Sequence, residues 1–413
     1  MRFRSSPPRG LFRRFLIGSL LVQLGAVVSL MTATSIRKRM RGKGTEPLPR
    51  IEAEHFTIGG GNEVQVYVSG EALYDDMLAA IAGARRRILL ESYIIKGDEM
   101  GRRFRRALRD AADRGVEVCV IYDGFANLVV PPAFFRFGHG VHMMRYPILP
   151  HRLAFFSPRA WGRNHRKILV VDDAIGFVGG YNIGSLYADE WRDTHVAVTG
   201  PAVWDLENAF IDFWNDVRPH ESMTPLSEST WDPHVRAHRN VPRQLIYPIR
   251  GMYLEAIDRA TKSIEITQAY FIPDKNILQG LVDASRRGVQ VRILVPKVSN
   301  HVVADFVARG YFGQLLDAGV EILRYSDHMV HAKTMTVDGE WSTIGTANID
   351  RLSLTGNYEI NLEILDDGLA EGMSRIFERD AQSAQVLDVQ AWRDRPTIAR
   401  LYERLLSPWR PLV

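Results

Sequence analysis

Asn164-His165-Arg166-Lys167-Ile168-Leu169-Val170-Val171-Asp172 and Val330-His331-Ala332-Lys333-Thr334-Met335-Thr336-Val337-Asp338 are two copies of one pattern, H-x-K-x4-D, set 166 residues apart. One copy is a weak signal, because H-x-K arises by chance. The pair is a strong one, because more of the chain repeats at the same offset: Gly179 with Gly345, Asn182 with Asn348, and Asp193 with Glu359. His and Lys two positions apart on a strand point to the same face. The apolar residues after each lysine continue that strand, and Asp172-Asp173 and Asp338-Gly339 read as the start of a hairpin turn. A tight two-residue turn sets residue 165 opposite 182 and residue 331 opposite 348. Each histidine then has an asparagine beside it, and the glycines lie near the lysines, where a phosphate needs room. Asp193 and Glu359 are left free to reach a histidine's far ring nitrogen.

The duplication extends outward from the motifs. Ala80-Ile81-Ala82-Gly83-Ala84-Arg85-Arg86-Arg87-Ile88, followed by a strand-like run to Tyr93, matches Ala256-Ile257-Asp258-Arg259-Ala260-Thr261-Lys262-Ser263-Ile264 and its run to Tyr270. Arg114-Gly115-Val116-Glu117-Val118 matches Arg287-Gly288-Val289-Gln290-Val291; in both, a glycine closes a helical pattern and a strand opens. Each half is therefore a helix–strand–helix–strand series, and the expected fold is α/β: two duplicated halves, each with a mixed central sheet flanked by helices. The halves are expected at residues 51–220 and 246–413. A polar, proline-bearing connector is expected over 221–245.

The first 50 residues have a different character. They hold eleven Arg and Lys against one acid, Glu46, so of the formal net charge of +4 the rest of the chain carries −6. A basic body is the usual footprint of nucleic-acid binding, and this body is mildly acidic, which speaks against a nucleic-acid partner. From Phe15 to Ile36 there are 22 residues without a charge, enough for one transmembrane helix, which needs about 20 apolar residues. Arginines and lysines flank this run on both sides, so the positive-inside rule does not orient it. Cys119 is the one cysteine, which excludes an internal disulfide, and its apolar surroundings read as a buried strand.

The chemistry follows from the residue types. A neutral imidazole can attack a phosphodiester phosphorus, and a second, protonated imidazole can give its proton to the leaving alkoxide. His165 and His331 supply that pair. Lys167, Lys333, Asn182 and Asn348 can hold the non-bridging oxygens as charge builds. Asp193 and Glu359 can fix a histidine tautomer and support imidazolium. Asp172 and Asp338 lie at the far end of each strand from its histidine, which suits a turn. Because the lysines carry the positive charge, no metal or other cofactor is expected, and the sequence has no zinc-type spacing or carboxylate cluster.

These residues, with Gly179-Gly180-Tyr181-Asn182, Trp191-Arg192-Asp193-Thr194-His195 and the run from Trp341 through Asn348-Ile349-Asp350-Arg351 to Glu359-Ile360-Asn361, resemble the phospholipase D superfamily, and within it bacterial cardiolipin synthases, over residues 60–413. The resemblance implies two halves related by a two-fold and sharing one active site at their interface. It implies His165 as the nucleophile, forming a phosphohistidine, and His331 as the acid. It implies phosphatidyl transfer from one phosphatidylglycerol to another at a bacterial membrane, with release of glycerol. Water or another alcohol as acceptor would use the same residues, so a hydrolytic phospholipase D or another phosphatidyl-alcohol synthase stays open. A phosphodiesterase nuclease fits the acidic body and the apolar span poorly. Many relatives have two spans or none where this sequence has one.

One stretch has no counterpart in the other half. Arg145-Tyr146 corresponds to Arg324-Tyr325 at an offset of 179, so the first half carries 13 extra residues before His165. This region, Ile148 to Gly162, holds Leu149, Leu153, Phe155, Phe156 and Trp161 with Arg152 and Arg159. Such a mixture suits a lip dipping among lipid headgroups as much as a loop packed on the body. The nearby run Pro131–Phe137 reads either as more of that lip or as core.

Overall fold

Two mixed eight-stranded sheets, one per half, are built from the repeated helix–strand units. The first half contributes β1 (Glu54–Ile58), β2 (Asn62–Tyr67), β3 (Arg87–Ser92), β4 (Glu117–Asp123), β5 (Val141–Tyr146), β6 (Ile168–Val171), β7 (Ile175–Gly179), the short β8 (Trp191–Arg192) and β9 (His195–Thr199). The second contributes β10 (Val235–Asn240), β11 (Ser263–Gln268), β12 (Gln290–Pro296), β13 (Glu321–Tyr325), the short β14 (Met329–Val330), β15 (Lys333–Val337), β16 (Trp341–Gly345), β17 (Glu359–Leu365) and β18 (Ala384–Val386). This computed structural model describes residues 47–149, 157–228 and 231–406, with positions 25 and 32 besides. The span expected over 15–36, and Arg152, Leu153, Phe155 and Phe156 of the insert, lie outside the described residues. Among the described residues no helix is long and apolar enough to cross a membrane.

The sheet orders are β1-β2-β9-β7-β6-β3-β4-β5 and β10-β17-β16-β15-β11-β12-β13-β18. Strand for strand, β2-β9-β7-β6-β3-β4-β5 matches β10-β17-β16-β15-β11-β12-β13. In each half the last three are parallel and the others antiparallel. Parallel neighbours need a crossover, and the helices Glu99–Asp113 and Lys275–Arg286 supply it. Each crossover helix ends on a glycine with positive φ, Gly115 at 89° and Gly288 at 95°, a conformation that costs a residue with a Cβ. Arg114 reaches back to the carbonyls of Ile81 and Ala82, and Arg287 to those of Ile257 and Asp258. The duplication thus holds down to single hydrogen bonds. Cys119 lies buried in β4, as its neighbours imply.

Two expectations need correction. The hairpin after each motif is not a two-residue turn. Val171 pairs with Ile175 and Val337 with Trp341, so three residues form each connection. The ladder therefore runs toward 165 opposite 181 and 331 opposite 347, one residue from the expected register. Asp172, Asp173, Asp338 and Gly339 adopt positive φ there. The connector expected over 221–245 holds β10, which pairs with β17 and belongs to the second sheet. Of the two readings left open for the run Pro131–Phe137 the structure selects core: Phe134, Phe135 and Phe137 are buried, with Phe135 stacked on Tyr122.

The halves share a core. Val178 and Val196 of the first sheet pack in one apolar cluster with Ile344, Tyr358 and Ile360 of the second half. Backbone bonds cross the seam in matched pairs. The His165 amide donates to the Tyr358 carbonyl at 3.0 Å, and the His331 amide to the Arg192 carbonyl at 2.7 Å. Tyr358 stands 166 residues after Arg192, as His331 does after His165. Such an exchange of partners is what a two-fold between the halves requires. It places both motif histidines on the seam.

Candidate active site

Each histidine sits just before the strand that carries its lysine, with its backbone pinned to the opposite half. Its side chain is pinned there too. His165 Nδ1 lies 3.0 Å from both carboxylate oxygens of Glu359, and His331 Nδ1 lies 2.6 Å from Asp193 Oδ2. The pairing is crossed: each half supplies the carboxylate for the other half's histidine. Within one half, β9 is separated from β6 by β7, two strand spacings or about 9–10 Å, so a carboxylate at the start of β9 is not beside its own histidine. The same holds for β17 and β15.

With Nδ1–H donated to a carboxylate, each ring presents Nε2 as its free nitrogen. Both carboxylates are themselves fixed. Thr346 Oγ1 donates to Glu359 at 2.5 Å, and the Thr194 amide donates to Asp193 at 2.8 Å. Gly180 occupies the position equivalent to Thr346, and a Cβ there would collide with the Asp193 carboxylate. Gly179 and Gly345 lie hard against His195 and Asn361 of the neighbouring strands. These glycines therefore make room for strand and carboxylate, where the sequence had suggested room for a phosphate.

Lys167 and Lys333 each donate to the carbonyl of the histidine two residues earlier, and Lys333 Nζ also lies 2.7 Å from His331 Nδ1 and 3.9 Å from Asp193. Burial holds the Lys167 ammonium down to about 7 and that of Lys333 to about 8, against the pull of the nearby carboxylates. Burial also lowers both histidines, His331 to about 3 with the Lys333 charge adding to the effect, so both imidazoles are neutral in the free protein. A phosphodiester anion placed between them would favour the imidazolium form. His165 keeps the larger opening to solvent, 14% of its side chain against 6% for His331.

Asn182 and Asn348 are both buried at the seam. Asn182 Oδ1 accepts from the Ile94 amide at 3.1 Å, whereas the buried Asn348 Oδ1 has no partner within the protein. Asp172 and Asp338 are not brought to the histidines. Asp172 accepts from the amides of Arg85, Arg86 and Arg87, and Asp338 from those of Thr261, Lys262 and Ser263, closing the link between each first helix and β3 or β11.

Some residues around the site were given no role by the sequence. Tyr93 meets the His165 ring edge-on at 4.7 Å, and Trp191 lies 4.7 Å from the His331 ring. Glu91, wholly buried, accepts from Asn164 at 2.5 Å and from Arg166 at 2.9 and 3.1 Å. Asn164 and Arg166 stand in the quoted motif, but Glu91 lies in a different strand and only the sheet brings it there.

The profile described as "Cardiolipin synthase, PLD-like domain" matches residues 77–214 and 253–381, one segment in each half. The chain belongs to that family. Among curated proteins it is 34% identical over 362 residues to a cardiolipin synthase of Geobacillus kaustophilus, covering 84% of this chain and 72% of that one. It is 33% identical over 377 residues to the major cardiolipin synthase of Bacillus subtilis, covering 87% and 77%. Among solved structures, a phosphatidylserine synthase of Haemophilus influenzae superposes with a TM-score of 0.66 at 13% identity, over 91% of this chain and 97% of that one; at that identity the likeness is one of fold. Members of this family are enzymes of the phospholipase D superfamily, and the duplicated α/β halves described above are the family's repeat.

Proposed function

We propose that the chain makes cardiolipin from two molecules of phosphatidylglycerol, releasing glycerol, through a phosphatidyl group held on His165 Nε2. The observation that carries this reading is the crossed pairing. Two imidazoles with their Nδ1 atoms committed to buried carboxylates leave two Nε2 atoms for one phosphodiester. Binding of the phosphodiester anion brings a proton onto His331; in the first step His165 Nε2 bonds to phosphorus as the bond to the glycerol headgroup oxygen breaks, and the His331 imidazolium gives that oxygen its proton. In the second step neutral His331 takes the proton of the acceptor's primary hydroxyl. The acceptor oxygen bonds to phosphorus, the bond to His165 breaks, and both histidines return to their starting states. His165 is favoured as nucleophile by its larger opening and by the absence of a lysine on its Nδ1.

Lys167, Lys333, Asn182 and Asn348 hold the non-bridging oxygens; the unpartnered Oδ1 of Asn348 suits it to accept from a substrate hydroxyl. Glu359 and Asp193 support the two imidazolium states. Asp172 and Asp338 act through the fold. In this reading the uncharged run Phe15–Ile36 anchors the enzyme in a bacterial membrane, where its anionic lipid substrate lies.

The test is incubation of the purified protein with phosphatidylglycerol alone in detergent micelles. Cardiolipin and free glycerol should appear in equal amounts, and His165→Ala should abolish both together with covalent lipid labelling of the protein. Phosphatidic acid as the lipid product, or cardiolipin only after a different phospholipid is added, would overturn the proposal.

A further inference from the structure

A small recess of about 30 Å³ lies at the carboxyl ends of β11, β12 and β13, next to the histidine pair. Its lining includes Tyr270, Lys297, Asp305, Arg309 and Arg324. Tyr270 is the wall it shares with the active site. The Tyr270 ring meets the His331 ring edge-on, centroids 6.2 Å apart, and its hydroxyl donates to Asn300 at 2.6 Å. The helix Val302–Asp317 supplies Asp305 and Arg309, four residues apart and so on one face. β13 supplies Arg324, and Lys297 directly follows β12.

Three cations thus face one carboxylate, and Asp305 already accepts from the Ser299 amide at 3.0 Å. Among the described residues none of the three cations forms a direct ion pair with an acid. Arg324 donates to the Lys297 carbonyl at 3.2 Å, and Arg309 lies 4.8 Å over the Phe306 ring. Burial, then the charge of neighbouring Arg309, hold the Arg324 guanidinium below its ordinary value. Two adjacent guanidinium groups short of counter-charge form a place for an anion.

Among the described residues the first half keeps Arg145, the counterpart of Arg324, but not the other two cations of this cluster. Gly124 takes the position of Lys297, since its amide bonds to the Tyr146 carbonyl as that of Lys297 bonds to Tyr325. In place of the helix there is the short turn Pro132–Phe135, whose phenylalanines are buried. The asymmetry matters because the two lipids of the proposed reaction play different parts. Both are anions, so transfer must bring two phosphodiesters within a glycerol's length of each other against their repulsion. The acceptor hydroxyl approaches phosphorus opposite the bond to His165, which is the side of His331 and of Tyr270.

We propose that Lys297, Arg309 and Arg324, at the mouth of this recess, bind the phosphodiester of the acceptor lipid, holding its terminal hydroxyl at His331. This rests on the cardiolipin reading above and adds to it the means by which an anionic lipid is chosen over water or a neutral alcohol.

The experiment uses the full chain with phosphatidylglycerol in uncharged detergent micelles and follows two products of one phosphatidyl-enzyme. Cardiolipin needs the acceptor phosphate. Incorporation of radiolabelled glycerol into phosphatidylglycerol, by headgroup exchange, needs only the donor. Charge-assisted hydrogen bonds are worth about 1.5–3 kcal/mol, so Arg309→Gln/Arg324→Gln should lower cardiolipin formation about 10- to 100-fold at subsaturating lipid. Headgroup exchange should stay within about twofold, and the thermal midpoint should stay near wild type. Exposed Lys297→Gln should shift the same ratio by at least about threefold, and it decides the matter if the double variant does not fold. A parallel loss of both products in a folded variant, or no change in their ratio, overturns the proposal. A wild-type protein that gives neither product would instead refute the cardiolipin reading itself.

Discussion

Glu359→Gln and Asp193→Asn should slow different steps, and which variant slows which follows from the crossed pairing. When Nε2 of His165 bonds to phosphorus, a full positive charge appears on the ring. Its Nδ1 lies 3.0 Å from both oxygens of Glu359, which places the charge centres roughly 4 Å apart; at an effective dielectric of about 20 the attraction is ~4 kcal/mol. Glutamine keeps the shape and one acceptor, hence a neutral hydrogen bond worth about 1 kcal/mol. The remaining ~3 kcal/mol is about a hundredfold in the rate of phosphohistidine formation. That loss should be the same for phosphatidylglycerol and for a lipid with a p-nitrophenyl leaving group, because Glu359 serves the nucleophile. Asp193→Asn acts on His331 instead. It should leave labelling by the p-nitrophenyl lipid near normal, slow labelling by phosphatidylglycerol, and slow the transfer that follows, so labelled enzyme accumulates. Rapid quenching with lipid labelled in its acyl chain, followed by counting of protein-bound label, measures each step. If the two variants exchange these phenotypes, each carboxylate serves its own half and the reasoning fails; it fails equally if both variants slow every step alike.

Because Lys167 and Lys333 are held down to about 7 and 8 by burial, each loses its charge as pH rises through that range, and with it the grip on an anionic substrate. kcat/KM should therefore fall on the alkaline side, while kcat holds to higher pH because the bound anion raises both lysines; a kcat/KM that is flat from about pH 6 to pH 9 would contradict this. Asp338→Ala removes the acceptor for three amides at 2.7–2.8 Å and should cost about 1–3 kcal/mol in denaturant unfolding with kcat within about twofold, whereas a large loss of kcat at unchanged stability would give it a part in the chemistry. On the rim beside His165, Phe125 and Leu149 are 53% and 59% exposed, and Arg163 lies 5.9 Å over the Phe125 ring. Changing Phe125, Leu149 and Trp161 together to Ser should weaken binding to phosphatidylglycerol vesicles, at about 1.5–3 kcal/mol for each side chain that inserts, while hydrolysis of a short soluble phosphodiester barely changes; a parallel loss would make the rim part of the fold.

The sequence by itself determined the duplication, the α/β class and which residues the fold would gather at one site. Equal offsets tie His165, Lys167 and Asn182 to His331, Lys333 and Asn348, and a strand's period of two puts each His and Lys on one face. Even the turn role of Asp172 and Asp338 was legible, since each lies at the wrong end of its strand. The turn length was not. Two-residue and three-residue hairpins both use Asp and Gly at positive φ, which Asp172, Asp173, Asp338 and Gly339 adopt here, so residue type alone does not separate them. The glycines were misread for a related reason: what a missing Cβ makes room for depends on the neighbouring strand, which no spacing along the chain reveals. The partner of each histidine was also beyond the sequence. Asp193 is nearer His165 in the chain than His331, yet the sheet order inserts β7 between β6 and β9 and holds that pair two strand spacings apart. Only when the two sheets pack against each other does Asp193 come within 2.6 Å of His331 and Glu359 within 3.0 Å of His165. Hydrogen bonds of that length are set by packing across the seam, and the sequence records only the residues that will make them.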